Sequence, residues 1–134
     1  RKVSKDIEYI LIHDGVRPLI SETLILAAFQ TGGLLGNCIP VLPLHESLRM
    51  LYRDRNRPVD RNDYRMVQTP QVFRSAAIKK AYEQSFQERF TDDAMVAESL
   101  GETIHLIDGD PVNIKITHPN DLAVAELLFA KQHS

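Results

Sequence analysis

The residues best suited to chemistry stand where a short apolar run ends near the N-terminus. Residues 9–12 are followed at once by His13 and Asp14, and Arg17 comes three positions later. A carboxylate such as Asp14 can hold a divalent cation, and an arginine can form a planar fork to a phosphate. Gly15 would let the backbone approach a ligand closely. These types indicate a site for a metal ion or an anion; Asp14 as a helix cap with Arg17 as its surface partner is the alternative interpretation.

The apolar run predicts the element that carries this site. Residues 9–12, Tyr-Ile-Leu-Ile, lack polar alternation, as expected for a strand covered on both faces in a parallel sheet. In open α/β sheets ligands bind beyond the carboxyl ends of the strands, which is where Asp14 falls. We therefore expect an α/β fold in which this strand is buried.

Length and charge exclude several classes of protein. The 134 residues favour a single domain over 1–134, and 16 basic against 18 acidic residues give a formal charge of −2. No apolar run approaches the roughly 18 residues of a membrane span, so a membrane is not an expected partner. The charge of −2 gives no general attraction to nucleic acids, so a nucleic acid is not expected either. The single cysteine, Cys38, predicts a buried thiol and a reducing cytoplasm. The first residues lack an initiator Met and a signal peptide, and we expect the chain to be a fragment.

Strands and helices alternate in the first third of the chain. Ser21 is expected to cap a helix that Gly32-Gly33 ends. Residues 37–42 predict a second strand, in which Pro40 indicates an edge, a bulge or an early end. This is a strand, helix and strand unit.

The second half predicts three helices and two short strands. In order these are a helix over 76–87 capped by Ser75 with a face of Ile78, Ala81, Tyr82 and Phe86, a helix capped by Thr91, strands over 103–107 and 113–117, and a terminal helix from Pro119. Lys115, among apolar neighbours, requires an anionic partner. Capping alone is the competing interpretation of Thr91-Asp92-Asp93.

Residues 43–67 have a different character, with six arginines and few apolar side chains. We expect extended pieces over 47–52 and 59–67, with a turn at 56–58, that leave the core as an arm. A charged surface hairpin and a nucleic-acid-binding arm are both open. A third interpretation is better, in which the arm lies on a second subunit and one of its arginines completes an anionic-substrate site there.

The segment that follows the arm, Gln68-Thr69-Pro70-Gln71, is too polar for a core by its composition. Pro70 favours an extended geometry for Thr69. We expect a loop whose side chains are free to contact a ligand.

Four short motifs stand in a fixed order along the chain. They are His13-Asp14-Gly15-Val16-Arg17-Pro18, Thr69-Pro70-Gln71-Val72-Phe73, Thr91-Asp92-Asp93-Ala94 and Asn113-Ile114-Lys115-Ile116-Thr117. Together they resemble the 2-C-methyl-D-erythritol 4-phosphate cytidylyltransferase family over nearly the whole length. Each motif alone is weak, but four in order are specific.

The resemblance implies a fold and an activity. The fold would be a Rossmann-like nucleotidyltransferase core, incomplete here, with three layers, a mostly parallel sheet and a protruding β-arm over residues 43–67 that forms a homodimer. The activity would be transfer of a cytidylyl group from CTP to methylerythritol phosphate with release of pyrophosphate, in isoprenoid biosynthesis. Mg²⁺ would assist by neutralising charge while the protein aligns the two anions.

The resemblance also implies roles for particular residues. Asp14, Arg61 and Lys115 would be catalytic, with Asp14 at the metal or nucleotide, Arg61 reaching the partner subunit's substrate and Lys115 near the phosphates. The substrate-binding residues would be Gly15, Arg17, Ser47, Thr69, Gln71 and Thr91. The family has an acid where Val112 stands here, so Asp110 would be the nearest substitute as a metal ligand.

Two departures leave alternatives open. The family's Gly-rich loop, which holds the CTP triphosphate, has no counterpart in this sequence. A polypeptide that begins at Arg1 is therefore expected to show no turnover, because the triphosphate would lose the cations that hold it. A ribitol-5-phosphate cytidylyltransferase shares most of the motifs. A non-catalytic sugar-phosphate-binding or dimerisation remnant is the alternative from another class, although the charges of Asp14, Arg61 and Lys115 favour an enzyme.

Overall fold

A five-stranded sheet and a separate hairpin organise the computed structural model, which describes residue 4, residues 6–85 and residues 87–132. The elements are β1 (Tyr9–Ile12), α1 (Glu22–Leu35), β2 (Asn37–Pro43), β3 (Leu48–Tyr52), β4 (Arg55–Val59), a 3₁₀ turn (Arg61–Asp63), β5 (Arg65–Val67), β6 (Gln71–Arg74), α2 (Ser75–Ala81), α3 (Asp93–Glu98), β7 (Leu106–Asp108) and α4 (Pro119–Gln132). Within these ranges, no helix is long and apolar enough to cross a membrane.

The main sheet is mixed. Its order is β1-β6-β2-β5, with β7 on β2, and only the β2–β7 pairing is parallel among the pairings described. Strands β1, β2 and β7 therefore run one way, and β5 and β6 run the other way. The α/β class is confirmed, but neighbouring strands are mostly antiparallel, because the chain returns from the arm into the sheet through β5 and β6.

Strand β1 contributes to a core on each side of the sheet. Ile10 and Ile12 pack against a cluster that includes residues of α2 and α3. Tyr9 and Leu11 pack against a second cluster that includes Ala28 of α1. The expected three layers are thus present, although the β1 side chains are half-buried rather than fully buried.

Helix α1 begins as predicted and ends later than predicted. The Ser21 hydroxyl accepts a hydrogen bond from the Leu24 amide at 3.2 Å. The helix ends at Gly36, whose φ of 96° lies in the left-handed region that glycine adopts without strain. Gly32 is buried inside the helix, and a Cβ built there would lie 2.5 Å from Cγ1 of Val72. Gly32 therefore marks close packing of α1 on β6, not the end of the helix.

Pro40 lies inside the sheet at a gap between two ladders. Asn37 and Cys38 of β2 pair with β6, whereas Val41 to Pro43 pair with β5. Pro40 falls between these ladders, and its carbonyl accepts the Gln68 amide at 2.8 Å. The prediction of an irregularity at Pro40 is confirmed as an interruption of the ladder, but not as a sheet edge or a strand end.

Three further bounds differ from the predictions. Helix α2 is shorter than 76–87 and has no side-chain cap from Ser75, and Phe86 of its predicted face lies outside the described residues. Asp92, not Thr91, caps α3, because its carboxylate accepts the Met95 amide at 2.9 Å. Strand β7 begins three residues later and ends one residue later than the strand predicted at 103–107, and residues 113–117 form no strand.

The arm is a two-stranded hairpin joined to the main sheet. Strands β3 and β4 pair with each other around a turn at Arg53-Asp54, where Arg53 has a φ of 53°. The turn predicted at 56–58 is wrong, since those residues lie in β4. Residues 59–67 are also not one extended piece, because the 3₁₀ turn interrupts them before β5 returns to β2.

Candidate functional site

The site begins with a tight turn after β1. The Arg17 amide donates to the Asp14 carbonyl at 3.0 Å, and Arg17 Nε donates to Asp14 Oδ2 at 3.2 Å. The Arg17 guanidinium also donates to the Asn113 carbonyl at 2.8 Å, and its side chain is only 9% exposed. Arg17 is thus committed to protein partners. Its predicted role at a phosphate stays a prediction, and its contacts favour a role in fixing the turn.

Lys115 is the cation of the site that faces solvent. Its Nζ lies 3.4 Å from Asp14 Oδ2, and the side chain is 48% exposed. The predicted anionic partner is therefore present, although Lys115 is exposed rather than buried. Two cations against one carboxylate leave one net positive charge here, which attracts an anionic ligand.

Buried polar side chains, not free ones, follow the arm. Gln68, Thr69 and Gln71 are 5%, 7% and 1% exposed, so the expected open loop is wrong. Gln68 exchanges hydrogen bonds with the backbone of Asp110, at 2.9 and 3.0 Å. The Asn113 side-chain amide donates to the Thr69 carbonyl at 2.7 Å. These bonds satisfy polar groups that would be costly to bury alone and tie residues 68–71 to the Lys115 segment.

Sequence reasoning assigned no role to His13 or Asn113, which help to build this site. Nδ1 of His13 lies 2.8 Å from Thr69 Oγ1, and Nε2 lies 2.9 Å from the Arg17 carbonyl. Asn113 is fully buried, and its carbonyl accepts bonds from Arg17 and Gln68. The sequence signal that could have found them is a polar residue directly beside an apolar run. His13 directly follows β1, and Asn113 directly precedes Ile114.

Gln71 connects the sheet to α3. Its Oε1 accepts the Ala94 amide at 3.0 Å, and its Nε2 donates to Asp92 Oδ2 at 3.3 Å. Thr91 is exposed, contacts Met95 and lines a cavity of about 380 Å³ between α2 and α3. In the same cavity Tyr82 donates a hydrogen bond to Asp93, and burial together with that carboxylate raises the pKa of Tyr82.

Two of the predicted site residues, Ser47 and Arg61, lie in the arm. Ser47 and Arg61 are exposed, and the Arg61 guanidinium donates to the His45 carbonyl. None of the contacts described for the chain joins either residue to Asp14. Gly15 is exposed in the turn, with open space around the position that a Cβ would take, so a ligand can approach its backbone.

The carboxylates offer a sparse set of metal ligands. Asp110 Oδ1 accepts the Val112 amide at 2.8 Å, so this oxygen already serves its own turn. Both ion pairs of Asp14 use Oδ2. Across residues 4, 6–85 and 87–132 no three His, Cys, Asp or Glu side chains are grouped to hold a metal ion. Mg²⁺ is commonly bound by one or two carboxylates plus substrate phosphates, and Asp14 fits that mode.

Comparisons with known proteins agree on one family. The family model for 2-C-methyl-D-erythritol 4-phosphate cytidylyltransferase matches residues 1–131. The curated protein of that name from Bacteroides fragilis is 47% identical over 118 residues, covering 88% of this chain and 54% of the relative. Its namesake from Caldanaerobacter subterraneus is 39% identical over 134 residues, covering 96% and 59%. The chain thus spans little more than half the length of these relatives.

Solved structures show the same fold. The crystal structure of the cytidylyltransferase of that name from Thermus thermophilus superposes with a TM-score of 0.81 at 33% identity, covering 91% of this chain and 62% of the other. That of 4-diphosphocytidyl-2C-methyl-D-erythritol synthase from Anaerococcus prevotii superposes with a TM-score of 0.85 at 27% identity, covering 96% and 59%.

The sheet, its flanking helices and these structural neighbours define a Rossmann-like nucleotidyltransferase core. An Asp–Arg turn at the carboxyl end of β1, with a lysine beside it, is where such α/β sheets bind their ligands. The chain belongs to the 2-C-methyl-D-erythritol 4-phosphate cytidylyltransferase family.

Proposed function

We propose that the protein transfers the cytidylyl group of CTP to 2-C-methyl-D-erythritol 4-phosphate and releases pyrophosphate, in isoprenoid biosynthesis. The observation that carries this proposal is the cluster of Asp14, Arg17 and Lys115 beyond β1, in a chain of this family. A cytoplasmic location is part of the proposal, and the single buried thiol of Cys38 supports it.

The chemistry asks the chain mainly to align two anions. The phosphate oxygen of the acceptor attacks the α-phosphorus of CTP, and pyrophosphate leaves. Lys115 is exposed enough to meet a phosphate, and its ammonium would stabilise the charge that grows during transfer. Arg17 keeps the Asp14 turn in place from its buried position.

A divalent cation such as Mg²⁺ would be held by Asp14, through the oxygen that its ion pairs do not use. When bound, the cation would supply charge neutralisation at the phosphates. Asp14 therefore has two tasks, which are to accept Arg17 and Lys115 on Oδ2 and to keep its other oxygen available.

An assay of pyrophosphate release tests the activity. The protein for this assay is purified from the cells that naturally produce it. CTP, Mg²⁺ and methylerythritol phosphate are expected to give turnover, and ribitol 5-phosphate much less. Replacing Lys115 with Gln is expected to lower kcat about a hundredfold, the typical loss for one donor to a developing charge. The matched control is Lys80→Gln, an exposed lysine on α2, which is expected to keep full activity. Turnover with ribitol 5-phosphate alone, or with neither acceptor, would overturn the proposal.

We also propose that the arm over residues 43–67 forms a homodimer. A two-stranded hairpin is marginally stable alone in water, and this one exposes Leu51 to 79% and Tyr52 to 64%. A second copy would cover these side chains. Leu51→Asp is expected to shift sedimentation towards the monomer, whereas Leu34→Asp, on a side chain 81% exposed in α1, is not. A dimer unaffected by Leu51→Asp, or a wild-type monomer, would argue against this.

In such a dimer Arg61 would complete the site of the other subunit, since no described contact joins it to Asp14 of its own subunit. Mixing the inactive variants Asp14→Asn and Arg61→Ala then leaves one intact site in each mixed dimer. Random exchange predicts about a quarter of wild-type activity, since half the dimers are mixed and each has one of two sites intact. Mixtures that stay inactive would show that Arg61 acts on its own subunit's site.

A further inference from the structure

The hydrogen bonds around His13 form a continuous set that the proposed reaction does not use. Nε2 lies 2.9 Å from the Arg17 carbonyl oxygen, and Nδ1 lies 2.8 Å from Thr69 Oγ1. The same Oγ1 accepts the backbone amide of Asp14 at 3.0 Å. The imidazole therefore links both ends of the Asp14–Arg17 turn to the segment that precedes β6.

The Arg17 carbonyl determines where one hydrogen of the ring lies. A carbonyl oxygen can only accept, so Nε2 must carry a hydrogen and donate it to Arg17. In a neutral imidazole protonated on Nε2, Nδ1 is an acceptor. The Thr69 hydroxyl can then donate its hydrogen to Nδ1 while its oxygen accepts the Asp14 amide. Every donor in the set meets an acceptor.

Burial makes this arrangement consequential. Thr69 is 7% exposed, and a buried hydroxyl without partners costs about 1–3 kcal/mol. Asp14 and Thr69 are far apart in sequence, and their shared hydrogen bond, together with His13, joins them just beyond the end of the β1–β6 ladder. Neighbouring hydrogen bonds in one chain also polarise and strengthen one another.

We propose that His13 is a positioning residue, which donates from Nε2 to the Arg17 carbonyl, orients the Thr69 hydroxyl through Nδ1 and so fixes the backbone of Asp14. It acts through Thr69 and does not touch substrate. One consequence rests on the proposed function. Because the Thr69 hydrogen is committed to His13, Thr69 offers a phosphate no donor and can only accept a hydrogen bond, for example from a sugar hydroxyl.

Nitrogen-15 NMR of the histidine ring tests the tautomer without any assay of activity. We expect Nε2 of His13 to carry a hydrogen and Nδ1 to accept a hydrogen bond. A ring protonated on Nδ1, or on both nitrogens, would overturn the proposal.

Two substitutions separate the two ends of the ring. His13→Asn keeps an acceptor near the Nδ1 position, facing Thr69, but loses the donor to Arg17. His13→Gln keeps a donor near the Nε2 position but loses the acceptor. We expect the Asp14 amide to exchange with solvent about tenfold faster in His13→Gln than in His13→Asn, the effect of losing one hydrogen bond. Equal exchange in the two variants would overturn the proposal.

Controls distinguish positioning from loss of the fold. The Ile39 amide, bonded to the His105 carbonyl at 2.9 Å inside the sheet, should exchange equally in all variants. Thr69→Ser, which keeps the hydroxyl, should restore the wild-type Asp14 exchange that Thr69→Val loses. Exposed His118 gives the matched substitution His118→Asn, which should change neither amide. If these results hold but methylerythritol phosphate is not turned over, the proposed function fails and the role of His13 stands.

Discussion

Replacing Gly32 with alanine tests how closely α1 packs on β6. A Cβ at Gly32 would lie 2.5 Å from Val72 Cγ1 and 3.0 Å from Val72 Cβ. Favourable contacts between carbon atoms are about 3.5–4.0 Å, so the helix and the strand must separate by roughly 1 Å or Val72 must leave its rotamer. The substitution therefore strains the packing between two layers.

Two opposing terms set the expected magnitude. Alanine is favoured over glycine inside a helix by up to about 1 kcal/mol. Overpacking a well-filled core costs about 1–3 kcal/mol, so Gly32→Ala should lower the free energy of unfolding by about 1 kcal/mol net. The adjacent Gly33 has nothing within 4 Å of a Cβ, so Gly33→Ala should raise that free energy by about 0.5–1 kcal/mol.

Urea unfolding of the two variants, followed by circular dichroism, measures this difference of about 2 kcal/mol. Val72→Ala makes room for the new methyl group, and in that background Gly32→Ala should cost nothing. If Gly32→Ala proves as stable as Gly33→Ala, or if Val72→Ala fails to rescue it, the packing argument is refuted.

Three further predictions concern buried or capping groups. Burial raises the pKa of Cys38 from 9.0 to about 11, so the unfolded state loses this proton first and the free energy of unfolding should fall by about 2 kcal/mol from pH 9 to 11. Cys38→Ala should remove this part of the pH dependence in urea titrations. Backbone amides of Thr117 and His118 lower the pKa of Asp121 below 3.8, so the charged carboxylate stabilises the folded state. The wild-type Tm should therefore exceed that of Asp121→Asn by a constant amount above about pH 5, and the difference should disappear as the pH falls through the lowered pKa of Asp121. Gln71→Leu leaves the Ala94 amide and Asp92 without their partner and should cost about 1–3 kcal/mol in urea unfolding, whereas Gln30→Leu, exposed on α1, should cost less than about 0.5 kcal/mol.

Local chemistry made parts of the fold predictable. The apolar run of β1, the Ser21 cap of α1 and the start of α4 at Pro119 all depend on residues close in sequence. The same holds for Asp14 at the carboxyl end of a strand, since strand direction alone determines its place. The anionic partner of Lys115 was predicted correctly, but from a burial that the structure does not show, since the side chain is 48% exposed.

Other features depend on contacts that are distant in sequence. Gly32 was predicted to end a helix because glycine breaks helices locally, but its reason is Val72 on another element. Gln68 and Gln71 were predicted to be loop residues because amides are usually exposed, yet they satisfy the backbone of Asp110 and Ala94 inside the fold. The pattern of one segment does not contain the partner that makes a buried amide stable.

The ion pairs around Asp14 join parts of the chain that are synthesised at different times. Arg17 follows Asp14 by three residues, whereas Lys115 follows by about a hundred, which takes roughly 5–20 s at ordinary translation rates. Until then the Asp14–Arg17 pair is neutral overall, and the positive charge that attracts an anion arrives with Lys115. A nascent chain without Lys115 therefore carries no net positive charge at this turn, and binding of an anion there requires that synthesis has passed β7 and reached Lys115.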